Sequence, residues 1–396
     1  MPREVEIAAP INIALLKYWG KRDELKMLPF NNSLSMTLSQ SQLMSHTKVA
    51  CGPEVRKSSF ILNGIQQPSI PPRMKDVIIL AQLKARLSGI SVPYRYVRIE
   101  STNNFPTKAG LASSASGLAA LTFGLAHLYS LSGDLSELAR CGSGSACRSM
   151  EGGFVHWTTS ASSETGDDAT VSVARQLYPA SHWPELRVLI CVTSASTKSV
   201  GSTQAMRRSV LTSDLFHHGR LESVRRHEHE LLDAISARNF PDFAEVVMRE
   251  SNQLHAICLD TWPPCVYLSQ VSLEIIRWVH TVNSYLKRTV VAYTFDAGPN
   301  AFLIALAADI PMLQQLLVYS FGSLSTDSDN TANETVTVQV QDGSKRRLHF
   351  NGIQYPICPH TLESDLLSLL PSCENGVSYV ISTELGDGPR LIRSRE

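Results

Sequence analysis

Apolar and polar residues alternate along residues 5–14 around Pro10, a period of two that predicts two short strands joined by a turn. The same alternation predicts strands at residues 33–38 and 94–101, and residues 60–64 read as a strand ending in a turn at Asn63-Gly64. The spacing becomes helical at residues 71–88, where Val77, Leu80, Ala81, Leu83 and Leu87 recur before Ser88-Gly89 stops the element. A loop of small residues at 103–115 leads into a second helical stretch marked by Leu118, Leu121, Leu125, Leu128 and Tyr129. Asp134, three residues before Glu137, starts a third helix as a capping pair, and Cys141-Gly142 ends it.

Residues 186–194 form a strongly apolar strand that opens a second half. Residues 214–256 predict two helices and 265–287 another, and residues 290–295 predict a strand that delivers Asp296 at its end. Residues 161–168 read as an exposed polar loop, and residues 323–345, poor in aliphatics, as a polar insertion shaped as a hairpin. Strands and helices interleave without strict alternation, so an α+β fold in two halves is expected, with residues 1–185 in one and 186–396 in the other.

Composition narrows the function. Lys plus Arg and Asp plus Glu are equal at 36 each, which argues against nucleic acid as a partner, since polyanion binders carry a basic excess. The eight cysteines form no Cys-x-x-Cys pair and read as reduced thiols. The mixed-charge start, Met-Pro-Arg-Glu-Val-Glu-Ile, is no secretory signal. The longest apolar stretch, 301–318, is broken by Asp309, Pro311, Gln314 and Gln315, short of the roughly 20 residues a membrane span needs. A cytoplasmic protein without membrane partners is expected. Neither a Gly-x-Gly-x-x-Gly fingerprint nor a Gly-x4-Gly-Lys-Ser/Thr loop occurs.

Four segments carry candidate chemistry. In Pro106-Thr107-Lys108-Ala109-Gly110-Leu111-Ala112-Ser113-Ser114, small residues allow close backbone approach, and the helix that follows presents free N–H groups to an anion. The same residues also describe a serine-rich helix cap. Asp296-Ala297-Gly298-Pro299-Asn300 sets a carboxylate at a strand end beside turn amides, which suits a centre where charge develops but also describes an ordinary turn. Lys17-Tyr18-Trp19-Gly20-Lys21-Arg22 offers cations and amphipathic rings to a diphosphate, or a solvated turn. Gly142-Ser143-Gly144-Ser145-Ala146-Cys147-Arg148 offers a flexible anion-binding loop and a guanidinium that can grip a carboxylate, or a turn between helices. His217, His218, His227 and His229 lie in a polar, Arg-rich stretch and read as a solvated face rather than a metal site.

Taken together, these segments resemble the GHMP superfamily of small-molecule kinases, whose phosphate loop has the form Pro-x3-Gly-Leu-x-Ser-Ser-Ala, seen here at residues 106–115. Asn12-Ile13-Ala14, residues 17–21, 103–107, 142–148 and 293–301 are similar, within that superfamily, to the mevalonate diphosphate decarboxylases. The resemblance implies two halves around a deep cleft, a homodimer, and ATP with Mg²⁺ carried on its phosphates rather than on a protein metal site. It implies that Asp296, Arg148, Lys17 and Asn12 surround the reacting carbon of mevalonate diphosphate. Tyr18, Trp19, Lys21, Ser143, Ser145 and Arg207 then hold the rest of that substrate. Asn103, Pro106, Gly110, Leu111, Ala112, Ser113, Ser114 and Lys198 hold the nucleotide. Two other readings are compatible with the same residues. One is a kinase of the same superfamily that stops after phosphorylation, and the other is a non-catalytic nucleotide sensor, which would be expected to lack Asp296 or the serine loop.

Overall fold

The computed structural model describes residues 3–105, 113–160, 171–193, 200–324, 335–339, 343–356 and 363–396. The expected residues Pro106, Gly110, Leu111, Ala112 and Lys198, the loop at 161–168 and part of the insertion lie outside them.

The alternating pattern at the start becomes two strands, Glu4–Pro10 and Asn12–Leu16, which enter different sheets. The first sits in a six-stranded sheet, paired antiparallel to Met44–Ala50 with Val5 opposite Val49. Its inner face packs on the helices Pro72–Leu87 and Ser113–Leu128 through Ile7, Val49, Ile99, Val77 and Leu121. The second lies at the edge of a four-stranded sheet, beside Ser33–Thr37. In the second half, Leu186–Thr193 pairs with Ala301–Leu306 and with Val377–Glu384 in a seven-stranded sheet, covered by the helices Gln270–Tyr285 and Ile310–Phe321. Ser269 caps the first of these helices with a reciprocal box to Ser272. The strands Thr335–Gln339 and Lys345–Gly352 of the insertion pair antiparallel.

Three features depart from the sequence reading. The chain does not stay in its second half, because the last strand, Arg390–Arg395, returns to pair with Glu4–Pro10. Its charged, alternating residues carried no strand signal. The segment expected as a flexible loop at 142–148 is instead a 3-10 helix, Gly144–Met150, whose buried Ala146, Cys147 and Met150 join the core between the six-stranded sheet and its helices. A helix at Ser202–Thr212 was not foreseen, since its apolar residues are sparse.

One apolar core joins the halves, with Ile13, Leu34 and Phe154 from the first meeting Val188, Phe243 and Phe302 from the second. At its margin Arg220 and Glu250, both fully buried, form a bidentate ion pair at 2.9 Å on each arm. His227 Nδ1 lies 2.6 Å from the same carboxylate, so this histidine, unlike exposed His217 and His218, is not part of a solvated face. Glu250 in turn accepts the Lys17 amide at 2.8 Å, and Arg220 donates to the Lys17 carbonyl at 2.6 Å. No helix among the described residues is long and apolar enough to cross a membrane.

Burial alone would raise the Glu250 carboxyl, but Arg220, His227 and the Lys17 amide reverse that and hold it down at about 2. A carboxyl depressed in the fold stabilises above its unfolded pKa of about 4.3 and loses that contribution as pH falls toward its folded value. Glu250→Ala leaves Arg220 buried and unpaired, so a loss of about 3–5 kcal/mol at neutral pH is expected. Glu250→Gln is expected to flatten the fall of stability between about pH 5 and pH 2. Urea denaturation across pH checks both, and unchanged midpoints contradict the assignment.

Candidate functional site

Residues from both halves converge on one cleft. Strand Asn12–Leu16 ends with a register shift between Ala14 and Leu16, which turns the chain so that Lys17 leaves the ladder and enters the interior. Its Nζ lies 2.8 Å from Asp296 Oδ1. The lysine side chain is 1% exposed and the aspartate 38%, so the carboxylate faces the cleft and the ammonium lies behind it. Burial lowers the Lys17 pKa, and Asp296 opposes that effect.

Asp296 follows the strand Val291–Thr294, as its position at a strand end foretold. The turn after it is closed by Gly298 N–H donating to the Asp296 carbonyl at 2.7 Å, and Phe295 N–H donates to Ser251 Oγ at 2.9 Å. Behind the pair lies His255, whose pKa burial and Lys17 push down to about 4 and whose Nε2 is buried without a partner.

Arg148 projects from the 3-10 helix, almost fully buried, with its guanidinium carbon 5.7 Å from the Trp157 ring centre. Its Nε and Nη1 are buried without hydrogen-bond partners. A buried guanidinium with two idle donors is costly unless something fills the site, and planar donors match a carboxylate. Burial lowers its pKa, while the field of Asp296 works the other way. Asn12 donates to the Ser145 carbonyl at 3.1 Å and to Ser149 Oγ at 2.7 Å, which ties the strand Asn12–Leu16 to this helix.

Tyr18 stands edge-on to the same tryptophan at 4.8 Å, and its hydroxyl is also buried without a partner. Burial raises its pKa, so it is a neutral donor. The ring rests on Gly144, where a Cβ would come within 2.9 Å of it. Ser143 and Ser145 share a 3.2 Å contact on the facing wall. Gly20 takes φ +87° against Phe216, a turn that brings Lys21 back to the mouth. Burial, with Arg73 adding repulsion, pulls the Lys21 pKa down to about 8.

The structure therefore brings together Asn12, Lys17, Tyr18, Trp19, Lys21, Ser114, Ser143, Ser145, Arg148 and Asp296. Trp19 is a wall rather than a polar contact, because its N–H is taken by Ser209 at 2.9 Å. Arg207 does not reach the cleft. It stays exposed at the rim in a charged pair with Glu24. Asn103 lies in an adjoining apolar groove lined by Phe60, Leu62, Ile99 and Leu118, which meets the cleft at Arg73 and Ser114. Ser113 opens the helix Ser113–Leu128, and its side chain lies outside the described residues.

Sequence reasoning missed Arg73 and the pair Ser202 and Thr203, all of which line the cleft. Arg73 donates to Thr203 Oγ1 at 3.4 Å across it. A signal for Arg73 was present, because a cation in the first turn of a helix opposes the helix dipole and calls for another reason to be there. Among the described lining residues, Lys17, Lys21, Arg73 and Arg148 face the single carboxylate Asp296, and the starts of two helices, Ser113–Leu128 and Ser202–Thr212, add positive dipole ends. In a chain with no formal net charge, this local excess marks a site for a strongly anionic ligand.

Comparison with known proteins agrees. Residues 9–170 match the family described as the diphosphomevalonate decarboxylase-like N-terminal domain, and residues 188–392 match the mevalonate 5-diphosphate decarboxylase C-terminal domain. The diphosphomevalonate decarboxylase of Danio rerio is 42% identical over 396 residues, covering 98% of this chain and 92% of that protein. The solved mevalonate diphosphate decarboxylase from Trypanosoma brucei superposes with a TM-score of 0.82 at 32% identity, covering 98% of both chains. A structure described as "MDDEF in complex with MVAPP, AMPPCP and Magnesium" superposes at 0.73 and 29% identity, covering 99% of this chain and 100% of that one. The fold is the mixed α and β architecture of those enzymes. By sequence over nearly its whole length and by structure, the chain belongs to the diphosphomevalonate decarboxylase family.

Proposed function

We propose that this chain converts mevalonate 5-diphosphate and ATP to isopentenyl diphosphate, ADP, phosphate and carbon dioxide, with the cleft residues in the roles below. The observation that carries the reading is the convergence of Arg148, with two idle buried donors, and the Lys17–Asp296 pair on one cavity. Its charge suits a substrate bearing both a diphosphate and a carboxylate. The family's solved complexes with a substrate and a nucleotide analogue support the same pair of ligands here.

A tertiary hydroxide leaves poorly and phosphate leaves well, so ATP serves to convert one into the other. The cations Lys21 and Arg73 and the two helix starts favour the phosphate groups, and the apolar groove beside Asn103 favours the base. Magnesium on the triphosphate supplies charge neutralisation during phosphoryl transfer. The hydroxyl oxygens of Ser114, Ser202 and Thr203 are hard donors that would fit such an ion.

Arg148 fixes the carboxylate so that its bond to carbon lies along the direction of the departing phosphate, an effect of orientation. As phosphate leaves, the C3 carbon gains positive character, and the Asp296 carboxylate beside it stabilises that charge. The Lys17 ammonium 2.8 Å away holds the Asp296 carboxylate where it can also accept the C3 hydroxyl proton as the phosphoryl group is transferred. Electrons of the carbon–carboxylate bond then form the double bond as carbon dioxide departs.

Incubation with ATP and mevalonate diphosphate is expected to release ADP, phosphate and carbon dioxide in equal amounts. ADP without carbon dioxide would instead identify a kinase. Asp296→Asn is expected to abolish turnover with nucleotide affinity nearly intact, and a variant keeping a tenth of the wild-type rate contradicts its role. Arg148→Ala loses a charge-assisted contact worth about 1.5–3 kcal/mol, so kcat/KM for the substrate is expected to fall about 10- to 100-fold or more while ATP affinity changes little. Equal losses in both overturn the assignment. Lys21 loses its charge as pH rises through about 8, so KM for the diphosphate is expected to rise above that pH. Lys21→Arg is expected to keep KM flat to about pH 9. Identical KM profiles for the two proteins count against a diphosphate contact.

A further inference from the structure

Lys17 sits one residue beyond its strand, where its amide and carbonyl have left the ladder with Ser33–Thr37, and the residue is 1% exposed. Buried backbone groups in that position need partners. Glu250 Oε2 accepts the N–H at 2.8 Å, while Arg220 Nη2 and Asn31 Nδ2 donate to the carbonyl at 2.6 and 3.0 Å. The next residue of the same helix, Ser251, accepts the N–H of Phe295 at 2.9 Å, immediately before Asp296.

Consecutive residues of the helix Phe240–Asp260 thus hold the two chain segments whose side chains form the ion pair of the cleft. An apolar replacement of the Arg220–Glu250 pair would be no less stable in many proteins. Here each end of the pair holds one side of a single peptide residue, which a hydrophobic pair cannot do. Glu250 has no spare capacity for another task, since its oxygens receive Arg220 twice, His227 and Lys17.

We propose that Arg220, Glu250 and Ser251 are positioning residues for the decarboxylation, setting Lys17 and Asp296 in register through their backbones; this rests on the function proposed above. None of the three lines the cleft, so they act without touching substrate. Displacements near 1 Å at a reacting centre cost about 100-fold in rate, and loosening either anchor is expected to act on kcat.

The test compares Ser251→Ala, Ser251→Thr and Arg220→Lys with the wild type, measuring kcat, KM for both substrates and the melting temperature. Ser251→Ala and Arg220→Lys are expected to lower kcat at least tenfold with each KM within about threefold. Ser251→Thr, which keeps a hydroxyl, is expected to recover most of that rate. A kcat within twofold of wild type in either folded variant overturns the proposal. So does a loss in which kcat, both KM values and melting temperature decline together, since that describes general loosening. Failure of both variants to fold assigns these residues to the scaffold and also overturns it. A wild-type protein that releases no carbon dioxide would sink the functional reading instead, so the two failures are distinct.

Discussion

The organisation of this protein depends on a buried ammonium ion. Lys17 lies inside the molecule, and the desolvation of its charge must be offset by Asp296, which arrives from the other half of the chain. That pair links a strand end near the start of the sequence to one 279 positions later. It also explains why one apolar core runs through both halves, because a cleft that relies on sub-ångström register between two segments needs a rigid foundation.

Around the pair, the cleft is built with its needs unmet. Arg148 and Tyr18 keep buried polar atoms without partners, and cations outnumber carboxylates along the described lining. Such a cavity is unfavourable when empty of anions and favourable when an anionic substrate enters, so binding energy and orientation come from the same groups. Arg148 over the Trp157 ring and Tyr18 edge-on against it are held in place beforehand, which lowers the cost of ordering them on binding.

Much of this was legible in the residues themselves. The strands at the start, the helix ending at Ser88-Gly89 and the strand delivering Asp296 follow from local periodicity, and the structure has them where expected. What was not legible depends on distant partners. The strand Arg390–Arg395 is charged and exposed, and only pairing with Glu4–Pro10 makes it a strand. Arg207 carries the charge expected of a diphosphate ligand, yet Glu24, 183 positions away, takes it at the rim. His227 looks like its exposed neighbours until Glu250 is placed beside it. Residues 142–148 read as a flexible loop because glycine and serine favour turns, whereas packing of Cys147 and Met150 winds Gly144–Met150 into a 3-10 helix.

A diffraction structure of this chain with mevalonate diphosphate and a non-hydrolysable ATP analogue tests the central claim most directly. The expected result is the substrate carboxylate hydrogen-bonded to the Arg148 guanidinium and the C3 oxygen beside Asp296, facing the terminal phosphate. A carboxylate lodged elsewhere in the cleft, with the Arg148 donors still idle, would contradict it.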